Sequence, residues 1–575
     1  MAYQSNLKIL LYSLALSLHF FSSLQTAGLA SDGRQAHVLL KHITPIPHPL
    51  TIPNAAEKVE DYDWQRHLMH TPLAALSTNG TWECLLCLQF PTLENQGIEL
   101  TPQNKQHKLK VRLELHPDAR WGDGSSILAK DLHFSWIVGR QLLKDRQPSH
   151  FFVMAQASKL VSGNNRAIDF FFKESDYLGS SFADIFLIPE KSERNPWKKA
   201  HGDHQKYLTL SSYAKHPYDS SLYSGGFWPQ EISTQEASFA ANFSYFLGKP
   251  NLSTILVSTQ MKSSSTQHST IKPLRVIKEP FTLRKDKKYV WKDTFWFEAL
   301  WFNLRDPLLA DIQVRRAIAN VIPYENIWSH IMQNEVFPAI SWHHSASKLY
   351  TFQNQPSHFQ KNFSAPQSLD QSGWLNNEAS STSRQKNGIP FCLDIWSDPS
   401  PHRQHIAKSI QSELQRTGLQ TTLRLSSSTQ EHLVQTKSMR LTGAYLAAIY
   451  LNPESNLNAL LSTEAIPQKR NQYQGQNLTG LTEPKIDQVL QKLSRTWSFE
   501  ARKKVYAEMD LLIDKNLPWV PLFHYYDATE YSPDLDLQCN TNYTAPISIC
   551  AVQWKRVKEH RTGANTAQTS YSKIL

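Results

Sequence analysis

The chain has 575 residues, enough at ~150 residues per domain for three or four packed units. Hydrophobic residues make up 40% and charged residues 19%, which excludes a disordered chain, and 20 glycines, about half the usual ~7% share, exclude collagen-like and Gly-rich classes. A net charge of +10 is thin over this much surface and argues against nucleic acid as a partner; five cysteines are too few for a disulfide scaffold.

Residues 1–30 have the composition of a secretory signal peptide. Lys8 is the positive start, residues 9–21 are an apolar core of 13 residues, and Gly28 and Ala30 are the small residues of a cleavage site. That core is shorter than the ~20 residues of a membrane span. No Cys follows it before Cys84 to carry a lipid anchor, and the longest later apolar run is residues 444–451. The expectation is an exported, soluble chain.

Residues 82–90 read as a buried strand. Cys84 and Cys87 lie three apart in it and would point to opposite faces, which disfavours a redox pair. Residues 111–135 read as a strand, an Asp123-Gly124 turn and a helix starting near Leu132 with Asp131 as its cap. Residues 258–272 and 352–388 are rich in Ser, Gln and Asn and read as loops or insertions.

A helix is expected from Asp311, with Val314, Ile318 and Val321 inward; Pro323 ends or kinks it. Ser400-Pro401 starts another, with Ile406, Ile410 and Leu414 on one face and Gly418 at its end. Strand-like segments flank it at 391–396 and 419–425, making a βαβ unit. Cys392 is left over there and expected to be buried. Ile486, Val489, Leu490 and Leu493 form one helical stripe, and Val505, Met509, Leu512 and Ile513 another. Cys539 and Cys550 enclose a polar loop and, in an exported chain, are expected to form a disulfide. Residues 556–575 are a polar tail expected to fray. There is no internal repeat. The fold class is α/β (α+β mixed) with several lobes.

The sequence lacks the G-x-S-x-G, P-loop, H-E-x-x-H and G-x-G-x-x-G motifs. A Ser/His/Asp triad assembled only by folding stays open. His201/His204, His343/His344 and His402/His405 are close pairs, but none has a companion acid or Cys at a metal-ligand spacing. Neither a metal nor a cofactor is expected.

Four separated segments resemble the family 5 extracellular solute-binding proteins, the oligopeptide- and dipeptide-binding group of ABC importers. Residues 111–135 match in Trp121, Asp123-Gly124, Ala129, Asp131 and Leu132; residues 242–255 match in Asn242, Tyr245, Gly248, Pro250, Leu252 and Ile255. Residues 302–318 are similar in Phe302-Asn303, Pro307 and Val314-Arg315, and residues 481–522 in a helix pair ending at Pro518, Pro521 and Leu522. The resemblance implies a two-lobed clamp of three structural domains: domain I at 31–62, 205–292 and 520–555, domain II at 63–204 and domain III at 293–519. It further implies a monomeric periplasmic carrier, not an enzyme, that encloses a peptide or peptide-like ligand and delivers it to a permease and ATPase complex at the inner membrane.

The chain also departs from the family. Peptide binders hold the α-amino group with an Asp, where this sequence has Ile449, and Leu446 stands for the usual Trp. A buried ammonium without a carboxylate is costly. Either another acid reaches the site or the ligand has no free amine there. The expected ligand-binding residues are Trp396, Tyr450, Asn452 and Asn303: aromatic faces for contact area, amides for pairing with a ligand backbone. The alternatives are a transport-independent receptor or sensor of the same fold, motivated by Ile449, and an exported hydrolase.

Overall fold

The computed structural model describes residues 35–556 except 41–42, 44–47, 52–58, 146, 260–273, 278–287, 333–335, 340, 344–346, 350–363, 377–382, 456, 532–534, 538, 540–542 and 544. The signal segment and most of the two polar insertions therefore lie outside the described residues.

Two long antiparallel strands, Lys288–Phe302 and Trp519–Tyr531, organise the molecule. One end of the pair extends into a second lobe. There the sheet order is Thr421–Leu425, Leu393–Ser397, Ala444–Tyr450, then the long pair. The other end extends into the first lobe through Leu274–Ile277, Gln35–Leu39, Thr254–Ser258, Glu236–Ala241 and Phe227–Ile232. One sheet thus spans both lobes.

Its pairing breaks at the crossing. Asp293 pairs with Tyr526 and Phe297 with His524, so four steps on one strand oppose two on the other. Phe295, fully buried within this irregularity, has φ +58°, a conformation bulky residues adopt only under constraint from their surroundings.

The second lobe is a sheet between helical layers, and its elements follow the sequence periodicity. Pro401–Arg416 buries Ile406, Ile410 and Leu414, and the strands flanking it are parallel, with Leu393 opposite Thr421. Ile312–Asn320 starts at Asp311, whose Oδ1 accepts the Gln313 N–H at 2.9 Å, and buries Val314 and Ile318. Both helices pack on one sheet face. Pro484–Ser494 and Phe499–Asn516 cover the other with Ile486, Val489, Leu490, Leu493, Val505, Met509 and Ile513. Being covered on both sides explains the unbroken apolar run at 444–451.

The first lobe adds a four-stranded sheet, Ile98–Leu100, Leu109–Glu114, Ala167–Phe172 and Ala157–Leu160, backed by the Ala129–Leu143 helix. It shares one continuous core with the spanning sheet's first-lobe strands. The Val59–Met69 helix packs on Phe227–Ile232 and on the Ile547–Gln553 turn, so a domain boundary at 62/63 would cut a single helix.

Several local expectations are corrected. The Ala129–Leu143 helix begins at Ala129, and Asp131 lies inside its first turn, accepting the Leu128 and Glu190 N–H groups at 2.9 Å each. The strand at Trp82 ends at Cys84. The chain then turns so that Leu85, Leu86 and Cys87 all donate to the Leu73 carbonyl, and this bend brings Cys84 and Cys87 into a disulfide with Cα atoms 5.1 Å apart. Cys539 and Cys550 are also joined. Cys392 is exposed, because strand alternation turns Phe391 and Leu393 inward and Cys392 outward. The 352–388 segment carries the Ala365–Gln371 helix; of the polar tail only Arg556 is described, paired with Leu535, and residues 557–575 lie outside the described residues. Among the described residues no helix is long and apolar enough to cross a membrane.

Candidate functional site

The lobes face each other across the crossing strands. From the second lobe, Tyr450 ends its strand directly opposite Trp296 in register. Both are large aromatics left 43% exposed, with ring centroids 5.9 Å apart and planes at 70°. Asn452 is turned toward the same place: its Nδ2 lies 3.5 Å from the Tyr450 hydroxyl, while its Oδ1 accepts the Glu454 N–H at 2.8 Å. Surrounding protein raises the Tyr450 hydroxyl above its ordinary value although water still reaches the ring; Asn452 opposes this, and the Asp184 and Asp63 carboxylates of the other lobe add to it.

From the first lobe, the Val59–Met69 helix presents Asp63, Arg66 and His67 one turn apart, beside Asp184. Arg66 is buried, 2.8 Å from Asp63 Oδ1 and 3.3 Å from Asp184 Oδ2, and stacks on Phe186 at 4.4 Å. His67 Nε2 lies 3.9 Å from Asp184 Oδ1. Burial alone would raise the Asp184 carboxyl, but Arg66, His67 and His150 outweigh it and hold it below the ordinary carboxylate range. Asp184 stays ionised, in a left-handed backbone conformation at φ +57°.

The lobes touch beyond this cleft. Tyr177 donates to Glu454 Oε1 at 2.9 Å and its backbone N–H to the Ser494 carbonyl at 2.6 Å; Trp497 Nε1 donates to the Ser175 carbonyl at 3.0 Å. Arg502 stacks on Tyr177 at 3.6 Å and lies 3.7 Å from Glu454. Beside Asn452 is a recess of about 280 Å³ that also touches Trp342, His343, Ser347 and Tyr506. Most of that space is open to solvent; the enclosed volume is about 10 Å³, room for a water and not for a solute.

Of the expected site residues, the structure brings Tyr450 and Asn452 together. Trp396 sits in a central strand opposite Tyr445, several residues from Tyr450, and packs on the helix-covered core. Asn303 is buried in a turn, its Nδ2 donating to the Leu441 carbonyl at 2.8 Å and its Oδ1 accepting the Arg305 N–H. Ile449 pairs with Phe297 and packs on the helix-covered face opposite Tyr450. Among the described residues no three His, Cys, Asp or Glu side chains group as a metal site. Sequence reading missed Trp296, Asp184, Arg66 and Glu454; only the strand register and the meeting of the lobes place them here.

The family model described as bacterial extracellular solute-binding proteins, family 5 Middle, matches residues 99–468. No curated protein matches the sequence. Among solved structures, the chain is similar to the oligopeptide-binding protein AppA from Bacillus subtilis in complex with a nonapeptide (TM-score 0.59, 15% identity, covering 91% of this chain and 99% of that one). It is similar to NikZ from Campylobacter jejuni in complex with Ni(L-His) (0.59, 16%, 91% and 99%) and to the periplasmic murein tripeptide binding protein MppA in an unliganded open form (0.69, 14%, 92% and 98%).

Proposed function

Since this chain belongs to the bacterial extracellular solute-binding proteins, family 5, we propose that it is the periplasmic solute-binding component of an ABC importer. It captures a peptide or peptide-like ligand between its lobes and delivers it, as a monomer and without chemistry, to an inner-membrane permease and ATPase complex. The observation that carries this reading is the pair of long strands joining two lobes, with Trp296 and Tyr450 exposed between them. A ligand touching both lobes stabilises the closed state by its differential affinity for it. Tyr450 and Asn452 are the contacts proposed from the second lobe, and Trp396 and Asn303 act behind them as support for the strand and its turn.

Native mass spectrometry of the protein isolated from its own periplasm tests the reading. A bound mass matching a short peptide is expected, together with a melting temperature that rises with peptide concentration by mass action. Protein that emerges empty and is unmoved by peptide pools overturns it. Ile449 favours a second reading, a receptor of the same fold that has left transport; an import assay in which deleting the chain leaves uptake of the bound solute unchanged would support it.

A further inference from the structure

We propose that the first lobe rests on anionic phospholipid headgroups through the outer face of two neighbouring helices, Ala129–Leu143 and Glu190–Ala200. This holds whichever solute the cleft takes. Residues 190–216 contain six Lys and Arg against three Asp and Glu, so this short stretch supplies +3 of the chain's net +10. On Glu190–Ala200, Lys191, Arg194 and Lys198 fall at i, i+3 and i+7 with Lys199 beside them, and all four are exposed. Lys130, Arg140 and Lys144, just past the helix end, make a second exposed stripe at i, i+10 and i+14.

The helices run side by side in the same direction, so the two stripes share one face. At one end Lys130 Nζ lies 3.9 Å from Glu190 Oε2. In the middle His133 meets Arg194, and burial together with that guanidinium lowers its imidazole. At the far end Gln141 Oε1 stands 4.0 Å from where a Cβ on Gly202 would be.

The acids of this stretch are turned away from the face or already engaged. Glu193 is fully buried and accepts from the Tyr207 hydroxyl at 2.6 Å, the Ser211 hydroxyl at 2.8 Å and the Ser212 N–H at 2.7 Å. Glu190 is buried and pairs with Arg194 and Lys130. Asp203 caps the next helix, accepting the Lys206 N–H at 3.0 Å. Among the described residues Lys144, Lys191, Lys198, Lys199 and Lys206 have no carboxylate within 4 Å. Clustered cations of one sign repel each other, and an anionic surface relieves that repulsion.

Shape decides the partner. Two parallel helices ~16–22 Å long and ~10 Å apart make a plate and not a groove. A nucleic-acid strand needs a groove with ring faces free for stacking. Here Trp136 and Trp197 are half-buried, Trp136 donating to the Ala155 carbonyl at 3.3 Å and Trp197 packing edge-on against Tyr207. A plate meets many headgroups at once, each lysine near the surface adding about fivefold to the partition. Among the described residues of both helices no large apolar side chain is exposed, so the attachment is electrostatic and salt screens it.

The test is sedimentation of the protein, isolated from its own periplasm, with vesicles of phosphatidylcholine alone or of phosphatidylcholine mixed with phosphatidylglycerol. Binding to the anionic vesicles is expected at about 0.05 M salt, with release at about 0.5 M and none to phosphatidylcholine. The triple variant Lys191→Gln, Lys198→Gln, Lys199→Gln is expected to lower the partition by roughly 100-fold, about fivefold for each charge. Lys408→Gln, Lys437→Gln, Lys504→Gln removes as many exposed lysines from helices of the second lobe and is expected to leave it unchanged. All six side chains are exposed, and matching melting temperatures show that both variants fold. Equal losses in the two variants would reduce the effect to net charge and overturn the inference. Equal sedimentation with both kinds of vesicle, or with neither, overturns it too, as does capture by heparin without capture by anionic vesicles.

Discussion

His48, His70 and His150 are all buried in the first lobe. Burial lowers His48 to about 3 and His150 to about 4; it lowers His70 well below its ordinary value, with the nearby Arg66 guanidinium adding to the effect. Each imidazole is neutral in the folded chain but takes a proton near pH 6.5 once unfolded, so the unfolded state binds more protons below that pH. The stability they contribute is complete above 6.5 and is lost as pH falls from 6.5 toward 4, by up to ~1.4 kcal/mol per unit for each group. The melting temperature is therefore expected to drop between pH 7 and pH 5. His70→Phe, which keeps the contacts with Phe186, Tyr213 and Tyr223, is expected to lessen that drop. Calorimetric melts of both proteins at the two pH values check this, and identical slopes would refute it. At this scale the sequence says little. His70 lies in a segment with no metal spacing, and the rings packed on it, Phe186, Tyr213 and Tyr223, are more than a hundred positions away. Tyr450 and Asn452 are proposed from the resemblance of residues 446–453 to the family's amine-binding segment; Asp184 carries no such signal, because its partner Arg66 comes from a distant helix.

Elements were the most readable level. The Pro401–Arg416 helix and its parallel strands followed from a 3.6-residue stripe between a Ser-Pro start and a glycine end, and core packing of both faces reinforced what propensity proposed. The reading failed where an element is shaped by contacts from elsewhere. The strand at Trp82 stops at Cys84 because the Leu73 carbonyl draws three successive N–H groups into a turn. The long crossing strands also went unread, since their aromatics follow no period through the irregularity at Phe295. What joins the Pro401–Arg416 helix to those strands is ionic. Arg403 binds Glu298 through two nitrogens, at 2.9 and 2.8 Å, and Asp398 at 2.8 Å; Tyr525 donates to Glu298 at 2.7 Å. Both carboxylates are buried. Burial would raise the Asp398 carboxyl, but Arg403 and Ser400 outweigh it and hold it below 3.8, so its contribution is present above that pH and lost as pH falls through the lower folded value. Arg403→Met leaves two buried carboxylates without a counter-charge and is expected to destabilise the chain by ~3–5 kcal/mol at pH 7. The deficit should shrink at pH 5, where the orphaned carboxylates take up protons and shed their charge. Urea unfolding at both pH values measures it; a variant within ~1 kcal/mol of the parent at pH 7 would show the network to be dispensable.

For the molecule as a whole the deciding question is what holds the lobes together without a ligand. The strands crossing between them fix a pivot, and the contact that carries Tyr177, Glu454, Trp497 and Arg502 lies outside those strands, between the segment after the four-stranded sheet and the paired helices of the second lobe. If the lobes swing about the strands, this contact exists only in the closed state. Glu454 and Arg502 are charged and buried, and Tyr177 and Trp497 half-buried, so water must replace their hydrogen bonds on opening. Tyr177→Phe keeps the ring under Arg502 but withdraws the donor from Glu454, a loss of ~1–3 kcal/mol confined to the closed state, or about 5- to 150-fold in its population. The expected outcome is a larger ligand-free radius of gyration by X-ray scattering. Weaker solute binding should follow, since apparent affinity scales with the fraction of competent protein. Trp497→Phe, which removes the bond to Ser175, should act in the same direction by a smaller amount. Because neither variant touches Trp296, Tyr450 or Asp184, a fall in affinity without a change in radius would place the loss at the cleft itself, and an unchanged radius with unchanged affinity would mean that these residues travel together and that the lobes part along some other line.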